Sequence, residues 1–427
     1  MKSSHKIFQL FKRYWPVLAI ILIIITGFYI RNLDYRWPYL RNIDSYAYYR
    51  QMNDIVMNSG VLPEHDDLVL SPEGEGRWKG SLAGSLYMYI GAYSYMLFKI
   101  FIPGIELWQF LVWFPALLAS LAAIPMYFIG KILYDRRAGV IAAFLVVFDI
   151  SNFSRSLAGD PDSDAIVILF PLIVIALFLF VYKIATERSS TENEKPDRKS
   201  LNFILKNKKL IIYSVIIGMV IVIWSMIWVG FWYVVWIITG LVILTLLINF
   251  ISKRNVSEWW KISKKLIFSF MIIIVVFAIL GSYVWHRNVI TGTLLGPFTF
   301  GEIKTEEGIQ FPNVYVSVAE LQSPGSAAEI INRITAMNFQ QNPLLLFISP
   351  LFLLFYCMIY LSYSHFKKRE HSDILILLFI WFVGPFLATI VATRFTILFS
   401  APIAIGSGIL LSKAWRMITG EDKNLYD

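Results

Sequence analysis

The chain has 427 residues, of which 57% are hydrophobic and 16% charged, with a formal net charge of +9 and a mean hydropathy of +0.62. A soluble chain carries about a quarter charged residues, so this composition excludes an ordinary water-soluble protein. The positive charge sits in short segments between apolar runs, which argues against nucleic acid as a partner, and the single cysteine, Cys357, excludes an internal disulfide and a Cys-x-x-Cys metal site.

Apolar runs of about 20 residues, enough to cross ~30 Å of hydrocarbon, recur along the chain and predict an all-α polytopic membrane protein of about 11–13 transmembrane helices with two long external loops. A transmembrane barrel would instead alternate polarity within short segments. The first span covers 15–30, behind Lys2, Lys6, Lys12 and Arg13; it lacks a small-residue cleavage site and is expected to be retained. A polar-aromatic segment at 31–107 follows and contains the patchy apolar stretch SLYMYIGAYSYMLFKIFI. Further spans are predicted at 108–132, 138–153 and 165–183, with a short external segment at 154–164. The stretch 184–208 mixes both charges with Ser, Asn and Pro and is expected to be a flexible linker. Two or more spans fit within 209–250 and one at 265–285. A second long segment occupies 287–341, before spans near 343–364, 372–392 and 395–413.

Charge sets the orientation. The segments KILYDRRAG, KIATERSSTENEKPDRKSLNFILKNKK, SKRNVSEWWKISKK and SHFKKREH are rich in Lys and Arg and should face the cytoplasm. Counting spans outward from any of them places 31–107, 154–164 and 287–341 together on the opposite face. That parity requires 84–102 to be a surface or re-entrant helix.

Each external segment contributes acids: Asp44 in RNIDSYAYYRQ, Asp160, Asp162 and Asp164 in RSLAGDPDSDAIV, and Glu320 in YVSVAELQS. Converging carboxylates suit a hard divalent cation such as Mg²⁺ or Mn²⁺, and the lack of His and Cys in these stretches disfavours zinc. Taken singly, an Asp at a helix start is more often an N-cap than a ligand. Asp162 and Asp164 stand where a span begins, and Glu320 by itself is an ordinary loop acid. Polar groups held at a membrane boundary tend to be functional, however. Arg155 precedes the acidic run, and Arg394 in VATRFTILFSAPIAI borders an apolar span at the same face. A guanidinium there can clamp a phosphate headgroup or serve as an interfacial anchor.

Four stretches, in order, resemble the catalytic subunit of oligosaccharyltransferase: DSYAYYRQ, SRSLAGDPDSDAIVILFPL, SVAE and TRFTILFSAPIAI. The resemblance covers about residues 30 to 415 and implies a GT-C-type glycosyltransferase architecture. It implies metal ligation by Asp44, Asp162 and Glu320, with Mn²⁺ or Mg²⁺ as cofactor. Asp164 would assist that shell, Arg155 would support it, and Arg394 would hold the lipid-linked phosphate. Asp160 has no counterpart and is expected to be a solvated turn residue beside Pro161. The implied reaction moves a glycan from a polyprenyl (dolichyl-type) carrier onto an acceptor Asn, with inversion. The implied partners are the lipid-linked donor, an acceptor polypeptide and membrane lipids, at the extracytoplasmic face of a prokaryotic, archaeal membrane.

The family carries a soluble C-terminal domain with a Trp-Trp-Asp-Tyr-Gly motif that reads the acceptor. Here the only comparable pair, Trp259 and Trp260, lies in a predicted cytoplasmic loop. Three expectations remain open: the chain is a fragment, a separate chain supplies that domain, or the protein works differently. Two alternatives stand beside these: a related glycosyltransferase with another acceptor, and a non-catalytic partner subunit. A transporter fits less well, because its acids would lie near the bilayer midplane.

Overall fold

A computed structural model describes residues 2–33, 35–66, 75–76, 84–186, 207–299, 322–335, 344, 347–368 and 370–421. Glu320 and residues 187–206 of the linker expected at 184–208 lie outside the described residues. The chain is a helical bundle, and among the described residues eight helical stretches are long and apolar enough to cross a membrane.

Helix α1 (Lys2–Asn32) carries the first apolar stretch, Arg13–Asn32. Helices α2 (Ile43–Met57) and α3 (Leu86–Phe101) pack on each other. Between them, β1 (His65–Asp66) and β2 (Glu75–Gly76) form a two-residue antiparallel pair. Helix α3 has 16 residues and buries Tyr87, Gly91, Ala92 and Tyr95. Its rings meet the first turns of the next helix, Tyr95 and Phe98 against Phe110 and Phe98 against Trp113. At 16 residues it is shorter than the ~20 needed to cross the hydrocarbon of a bilayer.

The predicted span at 108–132 is two helices, α4 (Leu107–Leu121) and α5 (Ala123–Leu133). Pro125 has no N–H for the Leu121 carbonyl and its ring crowds that group, which breaks the ladder at Ala122. The predicted span at 138–153 is also divided, into α6 (Arg136–Phe148) and α7 (Ile150–Ser154). At the division Asp149 turns its carboxylate to the N–H groups of Ser151 and Asn152 and caps α7.

Helix α6 has only 13 residues yet lies in the centre, packed chiefly on α5 and on the last helix. Its buried face is Ala138, Gly139, Ala142, Ala143, Val146 and Val147, a small-residue stripe that lets backbones approach. A Cβ on Gly139 would lie 2.5 Å from the Tyr127 carbonyl oxygen, and one on Gly408 would lie 2.7 Å from that of Ala138. In a bilayer, where lipid tails are as apolar as side chains, such close contact is a main source of helix association.

Helix α8 (Asp164–Thr186) is followed, after the linker, by α9 (Lys208–Ser225) and α10 (Trp232–Lys253), joined by the 3-10 turn Val229–Phe231. Two helices thus fill the region 209–250. Helices α11 (Val256–Trp285), α12 (Val289–Thr299) and α13 (Ala327–Thr335) lead to α14 (Pro350–Lys368) and α15 (Ser372–Val391). The 3-10 segment Thr393–Phe399 then enters α16 (Ser400–Ile418). At the end opposite α3, Arg137 makes two bonds of 2.7 Å to Glu421, and Ser412 donates to Asp135. This fastens the Lys- and Arg-rich turn between α5 and α6 to the end of α16.

Candidate active site

The acidic run sits on the loop between α7 and α8, held from three directions by main-chain bonds. Ala158 N–H donates to the Arg31 carbonyl, Gly159 N–H to that of Val112, and Arg41 N–H to that of Gly159. Gly159 has φ +85°, which favours glycine, and a Cβ there would strike the Tyr35 ring at 2.5 Å. Beneath the loop Arg31 is completely buried. It donates to Ser156 Oγ at 2.9 Å and to the Gly27 and Val147 carbonyls, and its guanidinium lies over the Phe153 ring.

Ser163 is the N-cap position of α8, its carbonyl accepting the Val167 N–H at 3.1 Å. This leaves Asp162 outside the helix and Asp164 in its first turn, where a negative charge suits the helix dipole. Asp164 is 8% exposed. Its carboxylate receives a 2.7 Å bond from Arg155 Nη1 and lies 3.6 Å from Arg394 Nη2. Arg155 and Arg394, far apart in sequence, meet on one acid. Arg394 keeps 31% of its side chain exposed. The segment carrying it is fixed by Thr393 N–H, which donates to the Gln322 carbonyl at 3.1 Å. Gln322 is the second residue after Glu320.

Asp162 accepts the Ser163 N–H and, at 3.2 Å, the Ser163 hydroxyl on Oδ1. Burial first, and then the Asp164 charge, push its carboxyl up to about 6. Asp160 is not the solvated turn residue expected. It is partly buried and accepts a 2.8 Å bond from Ser45 Oγ, because Ser45 faces inward on α2 beside the exposed Asp44. Burial raises the Asp160 carboxyl despite that bond, and the charges of Asp164 and Asp44 add to the rise. Asp44, Asp160, Asp162 and Asp164 thus share one electrostatic neighbourhood.

Three groups absent from the sequence expectation complete the site. Tyr87 is 1% exposed, and its hydroxyl donates to the carbonyls of Pro161 and Asp162 at 3.0 and 2.9 Å. Tyr48 lies 3.4 Å from Ser163 Oγ, and Ser45 holds Asp160. Tyr48 is one helical turn from Asp44, a spacing that places the two on one face and makes it findable. No spacing links Tyr87, on another helix, to the acidic run. Trp259, by contrast, donates to the Leu246 carbonyl at 2.9 Å in an interhelical contact at the far end.

The side chains Asp160 and Asp162 offer oxygen atoms, the donor type a hard divalent cation takes, where burial disfavours their uncompensated charge. Among the described residues no three His, Cys, Asp or Glu side chains are grouped closely enough to hold a metal. The third expected ligand, Glu320, is outside those residues.

The family model for the N-terminal part of oligosaccharyl transferase STT3 matches residues 16–420. A relative from Archaeoglobus fulgidus, dolichyl-phosphooligosaccharide-protein glycotransferase 3, is 26% identical over 179 residues, which cover 40% of this chain and 20% of the relative. The solved archaeal oligosaccharyltransferase AglB from the same organism, in complex with an inhibitory peptide and a dolichol-phosphate, superimposes with a TM-score of 0.64 at 17% identity, over 98% of this chain and 52% of that one. An A. fulgidus oligosaccharyltransferase complex with Zn and sulfate gives a TM-score of 0.57 at 18% identity, over 93% of this chain and 49% of that one. The chain therefore spans about half the length of these solved relatives, and the likeness shows a shared GT-C-type fold.

Proposed function

Since the chain belongs to the oligosaccharyl transferase STT3 family, we propose that it transfers a glycan from a polyprenyl (dolichyl-type) (pyro)phosphate carrier to the side-chain amide of an acceptor Asn. The reaction is metal-dependent and inverts the anomeric carbon. The observation that carries this reading is the meeting of Arg155, Arg394 and Asp164 beside Asp160, Asp162 and Asp44 at one end of the bundle. An anion site next to a carboxylate cluster is what a phosphate donor with a neutral amide nucleophile requires. The solved relatives bound to dolichol-phosphate, and to Zn with sulfate, support a site that takes a lipid phosphate, a cation and an anion.

Arg394 receives the donor phosphate on its exposed side, with the guanidinium held in place by Asp164 and by the Gln322–Thr393 bond. Charge-assisted bonds from a planar guanidinium fix such a headgroup. Asp44 and Glu320 accept the two N–H groups of the acceptor amide and turn it for attack on the face opposite the phosphate. Asp44, Asp162 and Glu320 would hold Mn²⁺ or Mg²⁺, which supplies charge neutralisation at the leaving phosphate. Arg155 orients Asp164 through its 2.7 Å bond. The polyprenyl tail stays among apolar helices while its headgroup reaches the site.

The test is transfer from a lipid-linked glycan donor to an Asn-x-Thr peptide, with and without Mn²⁺. Asp162→Ala is expected to lower turnover by at least about 100-fold, the scale of losing electrostatic stabilisation; undiminished transfer by that variant overturns the site. Transfer that appears only when the family's soluble domain is added would assign acceptor reading to that domain.

A further inference from the structure

Tyr87 is a buried phenol on α3 whose single hydroxyl bonds two consecutive carbonyls of the acidic loop. The Asp162 carbonyl and the Ser163 N–H belong to one planar peptide unit and point in opposite directions. Tyr87 holds the carbonyl end of that unit, and the N–H end meets the Asp162 carboxylate. Orientation therefore passes from the phenol through a rigid plane to Oδ1 of Asp162. Tyr48 acts from the other side, its hydroxyl 3.4 Å from Ser163 Oγ, which itself lies 3.2 Å from the same carboxylate oxygen. The two tyrosine rings meet edge to face at 5.4 Å with an interplanar angle of 89°, and Phe114 lies against Tyr87 at 6.2 Å. Neither ring can swing without displacing the other. The Asp162 carboxyl is thus held by a clamp whose two arms come from α2 and α3.

We propose that Tyr87 and Tyr48 are positioning residues that fix the Asp162 carboxylate for divalent-cation binding, acting through the Asp162–Ser163 peptide and the Ser163 hydroxyl. This rests on the reading of Asp162 as a metal ligand. Partners that orient a ligand from behind are typically worth about 10–100-fold in metal affinity, because a ligand free to rotate must be ordered when the cation binds.

The experiment measures Mn²⁺ binding to the purified full chain from the free-Mn²⁺ paramagnetic resonance signal, independently of transfer, alongside thermal unfolding. Tyr87→Phe deletes one oxygen and keeps the ring; it is expected to weaken Mn²⁺ binding at least about 10-fold. Tyr95→Phe is the control. Tyr95 is also a buried phenol on α3, but its hydroxyl donates to the Ile105 carbonyl, away from the loop. It should lower stability comparably and leave Mn²⁺ affinity unchanged. Equal losses of affinity in the two variants would reduce Tyr87 to a packing residue and overturn the proposal. Should Tyr87→Phe not fold, Ser163→Ala removes the hydroxyl between Tyr48 and Asp162 and carries the same expectation. Asp162→Ala separates the two readings. If it abolishes Mn²⁺ binding while Tyr87→Phe and Ser163→Ala bind as wild type, the positioning proposal fails alone. If it leaves Mn²⁺ binding intact, the metal reading and the proposal fall together.

Discussion

At the residue scale, the site concentrates like charge where it is poorly solvated. Asp162 carries a carboxyl pushed up to about 6 by burial and by Asp164, so its charged form is less favourable in the folded chain than in the unfolded one. A carboxyl raised on folding contributes stability below its unfolded value and loses it as pH rises through the folded value. Metal-free protein should therefore lose stability between about pH 4 and pH 6. In chelator, Asp162→Asn should unfold at a higher temperature than wild type at pH 7, by about 1–3 kcal/mol. At pH 4 the two should unfold together. Thermal unfolding at both values checks this, and a variant no more stable than wild type at pH 7 contradicts it. The same substitution should abolish transfer, since strain of this kind is retained for function at a cost in stability.

At the element scale, the bundle depends on how closely α6 approaches its neighbours. Besides the Tyr127 ring, an added Cβ on Gly139 would meet backbone, the Tyr127 carbonyl oxygen and the Lys131 nitrogen at 3.1 Å, which cannot rotate away. Gly139→Val should force α5 and α6 apart, destabilising by about 1–3 kcal/mol or more, with a fall in unfolding temperature and in monodisperse yield. Gly384 on α15 has nothing within 4 Å of an added Cβ, and Gly384→Ala should be neutral. Equal behaviour of the two would show that the small-residue stripe is not what holds α6. The divisions at Ala122 and Asp149 have local causes that the sequence carries, a proline three residues on and a capping acid. Apolar length conceals both, because hydropathy averages across the break.

At the scale of the whole molecule, α2, the acidic loop and the Gln322–Thr393 bond beside Arg394 gather at one end, while the charged turns gather at the other. Cys357 is fully buried and should not react. Membrane-impermeant maleimide should therefore label Asn58→Cys and Gly325→Cys from one side of the membrane and Lys253→Cys and Lys367→Cys from the other. Asn58 and Gly325 labelling from opposite sides would dismantle the shared face on which the site depends.

Much of this was legible in the chain itself. Apolar length dictated helices, since a bilayer requires every backbone polar group to be satisfied within a segment. The Lys- and Arg-rich loops pointed to which segments share a face, and the resemblance of four stretches to oligosaccharyltransferase pointed to Asp44, Asp162, Asp164, Arg155 and Arg394. What only the tertiary structure decided is how those groups meet. Arg155 and Arg394 both reach Asp164, Asp160 is drawn in by Ser45, and Tyr87 holds the loop from a helix whose sequence carries no sign of it. Such contacts join residues up to 230 positions apart and depend on side-chain direction and interhelical distance. A linear pattern specifies which face is apolar, but the approach of two helices is set by all the side chains packed between them.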